Sequence, residues 1–400
     1  MADFQTRRRF LKTAAAAAAA AAAPWACVVP LRRSGGPLPV RIPVIHCTDL
    51  FQPPDDPDDH FDLATLYSLP EIDLQGIVLD QGAKQVLRPG RIPVSQMNRL
   101  TGRQVPAAVG LADPLTSPSD KALGQDPRFQ EGVELILDVL RRSPDPVTII
   151  TVGSVRDVVA AFNREPVLFR RKLARLMAFI GEASREDFQE YNVGLDPQAY
   201  VGLMRLGLPL DWVPCFDGGN WNNFGHGSFW KTGQEALLSR APDGLVQYFI
   251  YALDQETSDP LDFLAVPVDP ARRARIFGLE RNLWGTAIFA SAAGRIAAFD
   301  GQRYVLPPAG TSSGERPILD SLFGFEAVDV SITDGGIVRY GGMETRPVRR
   351  FVVRDPDRYA EGMTRVTAEL LAGFGSAPPF TSSRGSASGD PAEATPRGRR

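Results

Sequence analysis

Residues 42–80 read IPVIHCTDLFQPPDDPDDHFDLATLYSLPEIDLQGIVLD. A short apolar run at 44–46 precedes an acidic loop, and a helical pattern at 61–68 leads to a second apolar run at 74–79. Short apolar strands joined through a helix are typical of a βαβ unit. Because strands joined in this way run parallel, we predict an α/β fold built on a mainly parallel sheet flanked by helices.

The same alternation continues along most of the chain. Apolar runs that predict strands recur at 105–109, 147–152, 176–180 and 210–214. Helical patterns occur at 94–101, 129–141, 155–163 and 197–206. Because 44% of the residues are apolar and neither a break in composition nor an internal repeat occurs, we predict one Rossmann-like domain over residues 41–374.

The two ends of the chain differ from this domain. Residues 6–12 read TRRRFLK and precede a run of ten alanines at 14–23, a pattern typical of a twin-arginine export signal. We predict a signal over 1–26, a linker over 27–40 and a disordered tail over 375–400. The expected location is the periplasm or the medium, with no membrane anchor after cleavage of the signal.

Composition narrows the classes of function. The net charge is −3 at pH 7 and no basic patch occurs, so we do not expect a nucleic-acid partner. The chain has three histidines and three cysteines without a Cys-x-x-Cys or His-Glu-x-x-His pattern, which disfavours zinc. The predicted strand ends lack a glycine-rich phosphate cradle, which argues against a phosphatase or nuclease. Oxygen ligands from aspartates are the chemistry that remains.

Six aspartates lie between Thr48 and Asp62, directly after the first predicted strand. Parallel sheets bind ligands beyond the carboxyl ends of their strands, so this loop is the first candidate site. Clustered carboxylates repel one another unless solvent or a cation compensates, and calcium prefers such oxygen ligands. The residue pattern alone leaves two alternatives, a calcium site or a solvated loop whose aspartates cap helices.

Five segments occur in the order and register found in a known family: PVIHCTDL, DPDDHFDLATLYSLPEIDLQGI, VTIITVGSVRDVVAAF, EYNVGLDPQA and SDPLDFLAV. Together they resemble the nucleoside hydrolases, a family with inosine/uridine-preferring members. Two C-terminal segments resemble the family's last strands and closing helix: AVDVSITDGGIVRYGG and VRRFVVRDPDRYAEGMTRVTAELL. The resemblance covers nearly the whole chain and implies the nucleoside hydrolase fold and calcium-dependent hydrolysis of an N-ribosidic bond.

The resemblance also implies roles for individual residues. By position, the calcium ligands of the family correspond to Asp49, Asp59, the backbone carbonyl of Val152, and Asp259. The residues that hold the ribose correspond to Asp58, Glu190 and Asn192. Asp49 is the expected base that takes a proton from the attacking water.

Two positions depart from the family pattern. Cys47 stands where the family has an aspartate, and Ser258 stands where many members carry a histidine that protonates the leaving base. His60 and His226 are the candidate replacements for this acid. A histidine at a helix start, such as His60, is also typical of a cap or a packing side chain.

An aromatic loop, DGGNWNNFGHGSFW at 217–230, follows the predicted strand at 210–214. Trp221 is a candidate for stacking on a base or sugar ring, and Asn223 is a candidate for hydrogen bonding to it. The alternative is a lid that packs on the domain through its own aromatic side chains.

The expected partner is therefore a small-molecule riboside or a related polyol. The change at Ser258 argues against a standard purine nucleoside as substrate. It also leaves an alternative from another class, a non-catalytic exported protein that binds a sugar or nucleoside on the same fold. The sequence leaves the oligomeric state open, and a homo-oligomer is one alternative.

Overall fold

The computed structural model describes residues 41–308, 320–341 and 344–375. The predicted signal, the predicted linker and the predicted tail beyond residue 375 lie outside the described residues. Within the described ranges, no helix is both long and apolar enough to cross a bilayer.

The described elements alternate between strand and helix over the first half of the domain. The strands are β1 (Ile42–Thr48), β2 (Ile72–Leu79), β3 (Ala107–Val109), β4 (Val147–Val152), β5 (Leu173–Phe179), β6 (Leu210–Val213), β7 (Trp230–Gly233), β8 (Glu280–Leu283), β9 (Ala298–Phe299), β10 (Tyr304–Val305), β11 (Asp320–Ser321), β12 (Phe323–Ile332), β13 (Val338–Tyr340) and β14 (Arg346–Val353). The α-helices are α1 (Asp58–Ser68), α2 (Gly82–Leu87), α3 (Arg91–Thr101), α4 (Glu131–Arg142), α5 (Arg156–Arg164), α6 (Pro166–Lys172), α7 (Tyr191–Leu195), α8 (Pro197–Arg205), α9 (Gln234–Leu238), α10 (Asp243–Leu253), α11 (Pro260–Phe263), α12 (Pro270–Phe277) and α13 (Tyr359–Ala372). Two 3₁₀ helices lie at Pro127–Phe129 and Thr286–Ser291.

The described strands form a central nine-stranded sheet in the order β13-β12-β14-β6-β5-β4-β1-β2-β3. From β14 to β3 the neighbouring strands pair in parallel, and β12 and β13 join antiparallel at one edge. This confirms the predicted α/β class and the mainly parallel sheet. The connection after β1 leads to β2 on one side of the sheet and the connection after β4 leads to β5 on the other, so the crevice beyond the ends of β1 and β4 is where such a sheet binds ligands.

The sequence of β4 explains why the middle of the sheet is fully buried. All six of its residues, VTIITV, are buried, all six are β-branched valine, isoleucine or threonine, and the strand pairs in parallel with a neighbour on each side. β-branched side chains pack well on a pleated surface that is covered on both faces. Successive residues of a strand point to opposite faces of the sheet. On β1, for example, Val44 packs in the apolar core on one side of the sheet and Ile45 packs in the core on the other side.

The helix α4 shows how the outer layers pack. Its buried residues Val133, Ile136, Leu137 and Leu140 recur at the three- and four-residue spacing of one helix face. That face covers β2, and the acidic and basic ends of the helix face solvent. The predicted helix at 129–141 is therefore present, shifted by two residues at its start.

Candidate functional site

A cavity of about 520 Å³ lies at the carboxyl ends of β1, β4 and β5. One part of its wall is acidic and contains Asp49, Asp55, Asp56, Asp58, Asp59, Asp62 and Glu190. Another part is aromatic and contains Phe51, Phe179, Tyr191, Phe216, Trp221 and Trp284. A cavity of this size with apolar walls and a few converging polar groups suits a small-molecule ligand.

Asp49 and Asp59 form the centre of the acidic wall. Asp49 follows β1 directly, and Asp59 lies in the first turn of α1. The Thr48 hydroxyl donates to Asp59 Oδ1, Gln81 Nε2 donates to Asp49 Oδ2 at 3.4 Å, and the two carboxyl groups act on each other's pKa. Two neighbouring buried carboxyl groups share a proton or bind a cation, because two bare negative charges would repel each other strongly.

The electrostatics of the cavity follow from burial. Burial, with the nearby charge of Asp80, raises the pKa of Asp49 to about 6. Burial and the neighbouring aspartates raise the pKa values of Asp58 and Asp59 well above their usual range. Two cations compensate part of this charge: the ammonium group of Lys84 lies 2.9 Å from Asp55 and acts on Asp49, and the guanidinium group of Arg281 lies 3.5 Å from Asp56. The interior of the cluster therefore favours a positive partner.

The donor set is the kind that a hard divalent cation prefers, since it consists of carboxylate oxygens beside the strand end at Val152. Within the described residues, no three His, Cys, Asp or Glu side chains converge closely enough to hold an ion as they stand. To coordinate an ion, the carboxyl groups of Asp49 and Asp59 would therefore have to rotate so that their oxygens point toward a common position. The residues fit a cation in chemistry and burial.

Glu190 and Asn192 lie across the cavity, where β5 passes into α7. Glu190 caps α7, because its carboxylate accepts hydrogen bonds from the backbone N–H groups of Asn192 at 2.9 Å and Val193 at 3.3 Å. It also accepts from Gly181 N at 2.9 Å, and burial raises its pKa to about 7. Asn192 faces the same cavity. The structure thus brings the proposed sugar-binding residues to one place with Asp49, Asp58 and Asp59.

The aromatic wall is built from segments far apart in sequence. The ring of Trp221 lies 5.7 Å from Phe216 and 6.2 Å from Trp284, and Trp284 lies 5.8 Å from Phe216. Trp221 is 56% exposed and has a positive φ of 63°, which a bulky residue rarely adopts. The exposed ring at the cavity wall leaves an aromatic face free to contact a ligand.

A family model described as inosine-uridine preferring nucleoside hydrolase matches residues 55–216, the part of the chain that forms most of the acidic wall. Pyrimidine-specific ribonucleoside hydrolase RihA of Citrobacter koseri is 26% identical over 172 residues, which cover 38% of this chain and 55% of that protein. Non-specific ribonucleoside hydrolase RihC of Salmonella schwarzengrund is 27% identical over 172 residues, 38% of this chain and 56% of that protein. These matches show that the chain is similar to the nucleoside hydrolase family and support its being a divergent member.

The alignments with the curated relatives span about half of their length. A plant nucleoside hydrolase, the PpNRh1 enzyme, superposes with a TM-score of 0.51 at 16% identity, covering 83% of this chain and 99% of that chain. This likeness supports the nucleoside hydrolase fold over nearly all of the domain. Family members commonly bind a metal ion, which agrees with the donor chemistry of the acidic wall.

Asp259 does not line the cavity. Asp259 is exposed and caps the short helix α11, accepting from the backbone N–H groups of Leu261 and Asp262 at 2.9 Å each. Its position does not support the ligand role that the SDPLDFLAV segment implied. Ser258 lies beside it, so the identity of Ser258 says nothing about the acid for the leaving group.

Neither candidate histidine lines the cavity. His60 is buried against Tyr248, with ring centres 5.4 Å apart, and burial lowers its pKa to about 3. It is a packing residue that stays neutral. The Nδ1 atom of His226 lies 3.0 Å from Asp217 Oδ2, and its Nε2 atom lies 3.7 Å from Glu326, outside the lining of the cavity.

Asn223 has a structural role within its loop. Its Oδ1 atom accepts from the backbone N–H groups of Gly225 and Gly227 at 3.1 Å each, and its Nδ2 atom donates to the carbonyl of Phe229. Asn220, three residues earlier in the same loop, lines the cavity instead. The sequence identified the right loop and the wrong asparagine for this wall.

The sequence reasoning missed Trp284 and left the role of Asp62 unassigned. Trp284 follows the short strand β8, whose residues ERNL have no strong apolar alternation. β8 pairs with β7, and this two-stranded ribbon carries Trp284 to the cavity. An aromatic residue directly after a strand was the only local signal.

A buried polar network lies beneath the cavity and holds two strand ends. Arg156 is 3% exposed, and its guanidinium group donates to Ser154 Oγ at 2.8 Å and to the carbonyls of Ala112 and Leu195. The hydroxyl and the backbone N–H of Ser154 both donate to Asp80 at 2.8 Å. Asp80 ends β2 and Ser154 follows β4, so this network fixes the ends of both strands next to the aspartate loop.

Gly153 shows how closely the end of β4 approaches Asp80 and Asp49. It has a φ of +91°, and a Cβ atom there would lie 2.9 Å from Asp80 Oδ2 and 3.1 Å from Asp49 Oδ1. A glycine is needed because both the backbone conformation and the space exclude a side chain. The end of β4 can therefore approach Asp49 directly.

The buried carboxyl group of Asp157 predicts a pH effect on stability. Its Oδ1 atom accepts from Leu111 N at 3.0 Å, and burial, with the charge of Asp80, raises its pKa to about 7. Between about pH 4 and pH 7 the unfolded chain has released this proton and the folded chain still holds it, so stability falls as pH rises through this window. Asp157→Asn keeps the acceptor and removes the titration.

We expect the Asp157→Asn variant to match the parent protein near pH 5 and to exceed it near pH 8 by roughly 2 kcal/mol in the free energy of unfolding. Urea unfolding at both pH values measures this difference. A variant that is equally stabilised, or equally destabilised, at pH 5 and pH 8 would contradict the titration of Asp157.

Proposed function

We propose that this chain hydrolyses the N-ribosidic bond of a small riboside, with calcium held at the acidic wall by Asp49, Asp59 and the carbonyl of Val152. The observation that carries the proposal is the meeting of the Asp49 and Asp59 pair with Glu190 and Asn192 in one cavity. Family membership supports the reaction class. The twin-arginine pattern at 6–12 supports action in the periplasm or outside the cell, which cell fractionation would test.

Asp49 is the base in this proposal. Without the ion, burial and the charge of Asp80 raise its pKa to about 6, and Asp49 is therefore more basic than an ordinary aspartate, as a general base requires. A bound calcium ion supplies a water of lowered pKa and a hold on the vicinal sugar hydroxyls. Asp49 and Asp59 lie in the same wall, so the base is next to the proposed cation site.

Asp58, Glu190 and Asn192 hold and stabilise the sugar. Carboxylates and an amide oxygen accept hydrogen bonds from ribose hydroxyls, and the amide N–H group of Asn192 donates. Cleavage of an N-glycosidic bond develops positive charge on the sugar ring, as in O-glycoside hydrolysis. Carboxylates fixed on both sides of the cavity stabilise that charge without reorganising.

In this proposal, the leaving group binds against the aromatic wall of the cavity. All three histidines of the chain are described and none lines the cavity, so the residues at hand do not include an imidazole acid. Phe216, Trp221 and Trp284 offer flat apolar faces at one side of the sugar-binding residues. This favours a riboside whose leaving group is a flat ring that departs without strong protonation by the protein.

A release assay tests the proposal. The purified full chain is incubated with pyrimidine and purine nucleosides and with other ribosides, with calcium or with a chelator, and the free ribose is measured. Calcium-dependent release of ribose is the expected result. Binding of ribosides without any release would favour the non-catalytic binding protein, a possibility raised by the lack of an imidazole at the cavity.

Replacing Trp221 by alanine is expected to raise KM roughly tenfold for a riboside with an aromatic leaving group, because stacking on an aromatic ring contributes about 1–3 kcal/mol per base. The kcat value should change less, since Trp221 does not contact the carboxylates. The matched control is Phe224→Ala in the same loop, whose side chain is 76% exposed and does not line the cavity. Equal KM values for the two variants would remove Trp221 from the ligand site.

A further inference from the structure

Asp62 is a buried carboxyl group that the proposed chemistry does not yet use. It lies on α1, three and four residues after Asp59 and Asp58, and therefore on the same side of the helix. Its side chain is 4% exposed and contributes to the acidic wall of the cavity. Its charge acts on Asp58 and Asp59, and that of Asp49 acts on Asp62, so the four carboxyl groups form one cluster.

A distant segment of the chain holds Asp62 in this place. The backbone N–H of Thr286, at the start of the 3₁₀ helix, donates to Asp62 Oδ1 at 2.6 Å. A Cβ atom at Gly285 would lie 2.4 Å from Asp62 Oδ2. Gly285 thus leaves a space that the Asp62 carboxylate fills, and no described residue donates a hydrogen bond to Oδ2 within that space.

We propose that Asp62 is the third carboxylate ligand of the divalent cation, beside Asp49 and Asp59, and that Asp259 has no part in binding it. The inference rests on the proposed function, which places a cation at Asp49 and Asp59. The fixed Oδ1 atom orients the carboxyl group and leaves Oδ2 available for the ion. A carboxylate held by a neighbouring N–H group is the arrangement that orients metal ligands in proteins.

Binding of the metal alone tests the inference independently of catalysis. Isothermal titration calorimetry with calcium, and luminescence of terbium excited through nearby tryptophan, are measured on the full chain at pH 8. Trp284 lines the same cavity and serves as the sensitiser. We expect Asp62→Asn to weaken calcium binding roughly 10- to 100-fold and to reduce terbium luminescence at fixed concentration. The matched control, Asp259→Asn, is expected to bind as the parent protein does.

A second variant covers the case in which Asp62→Asn does not fold. Gly285→Ala introduces a Cβ atom 2.4 Å from the present place of Asp62 Oδ2 and 2.5 Å from Phe289 Cζ, so it should displace the carboxylate together with that ring and weaken calcium binding while leaving residue 62 unchanged. Gly278→Ala is its control, because the nearest atoms to a Cβ there lie 3.6 Å away. Circular dichroism confirms the fold of each variant.

The outcomes separate the inference from the proposed function. Calcium binding that is unchanged in both Asp62→Asn and Gly285→Ala, or weakened by Asp259→Asn, overturns the role of Asp62 and leaves riboside hydrolysis standing. A parent protein that binds neither calcium nor terbium overturns the inference and the calcium part of the proposal together. Release of ribose in chelator then decides whether hydrolysis itself survives.

Discussion

Asp49→Asn is expected to lower kcat for riboside hydrolysis roughly 10²- to 10⁴-fold, the range that a positioned general base contributes. Asparagine keeps the size of the side chain and an oxygen that can face the cavity, but it cannot take a proton from water. At saturating calcium, KM should change less than kcat, because Asp58, Glu190 and Asn192 still hold the sugar. Steady-state kinetics on the best riboside from the release assay measure both values.

The pH profile sharpens this test. In the parent protein, kcat/KM should fall at acidic pH, where Asp49 becomes protonated and can no longer take a proton. The variant should lose that acidic limb. Asp259→Asn is the matched control, because Asp259 is an exposed helix cap that lies away from the cavity. An Asp49→Asn enzyme with unchanged kcat would show that another group takes the proton.

Arg156→Leu is expected to lower the free energy of unfolding by about 3–5 kcal/mol near pH 8. Arg156 is buried, its Nε atom lies 3.6 Å from Asp196 and 3.8 Å from Asp80, and it also donates to two carbonyl groups. Its removal leaves buried carboxylates and carbonyls without their donor. Urea unfolding followed by circular dichroism measures the loss.

An exposed arginine provides the control for this loss. Arg141 pairs with Asp138 and Glu165 on the surface of α4, and Arg141→Leu should cost less than about 1 kcal/mol. The loss in Arg156→Leu should also be smaller near pH 5, because burial raises the pKa of Asp196 to about 6 and a protonated carboxyl needs no cation. Equal losses in the two arginine variants would show that the buried network contributes little.

Much of the fold could be predicted from local pattern. The strand predicted at 147–152 coincides with β4 (Val147–Val152), because a short run made entirely of β-branched residues between two helical patterns has few other solutions. The predicted helix at 197–206 ends within one residue of α8 (Pro197–Arg205), which begins with a proline after a capping aspartate. The short ribbon of β7 and β8 was missed because two strands of four residues carry little periodic signal.

The candidate site was predictable only in part. The aspartates near β1 were found because they follow a buried strand, and Glu190 and Asn192 were found through the family resemblance. Asp259 was assigned through the same resemblance, yet an Asp-Pro pair is also a common start of a helix. Its carboxylate accepts from Leu261 and Asp262 and caps α11. A short motif cannot distinguish a cap from a ligand, because both need the same residue.

The sequence by itself determined the α/β alternation and the position of six aspartates at the carboxyl end of the first strand. The spacing of apolar residues determines whether a segment forms a strand or a helix, and the order of residues along the chain places the aspartates directly after the strand. Both features depend on a few neighbouring residues. Only the tertiary structure decided which aspartates face one cavity and what holds them there. Asp62 takes its hydrogen bond from Thr286, 224 residues away, in a space kept open by Gly285. No local propensity encodes such a contact, because it exists only once both segments have packed against the same sheet.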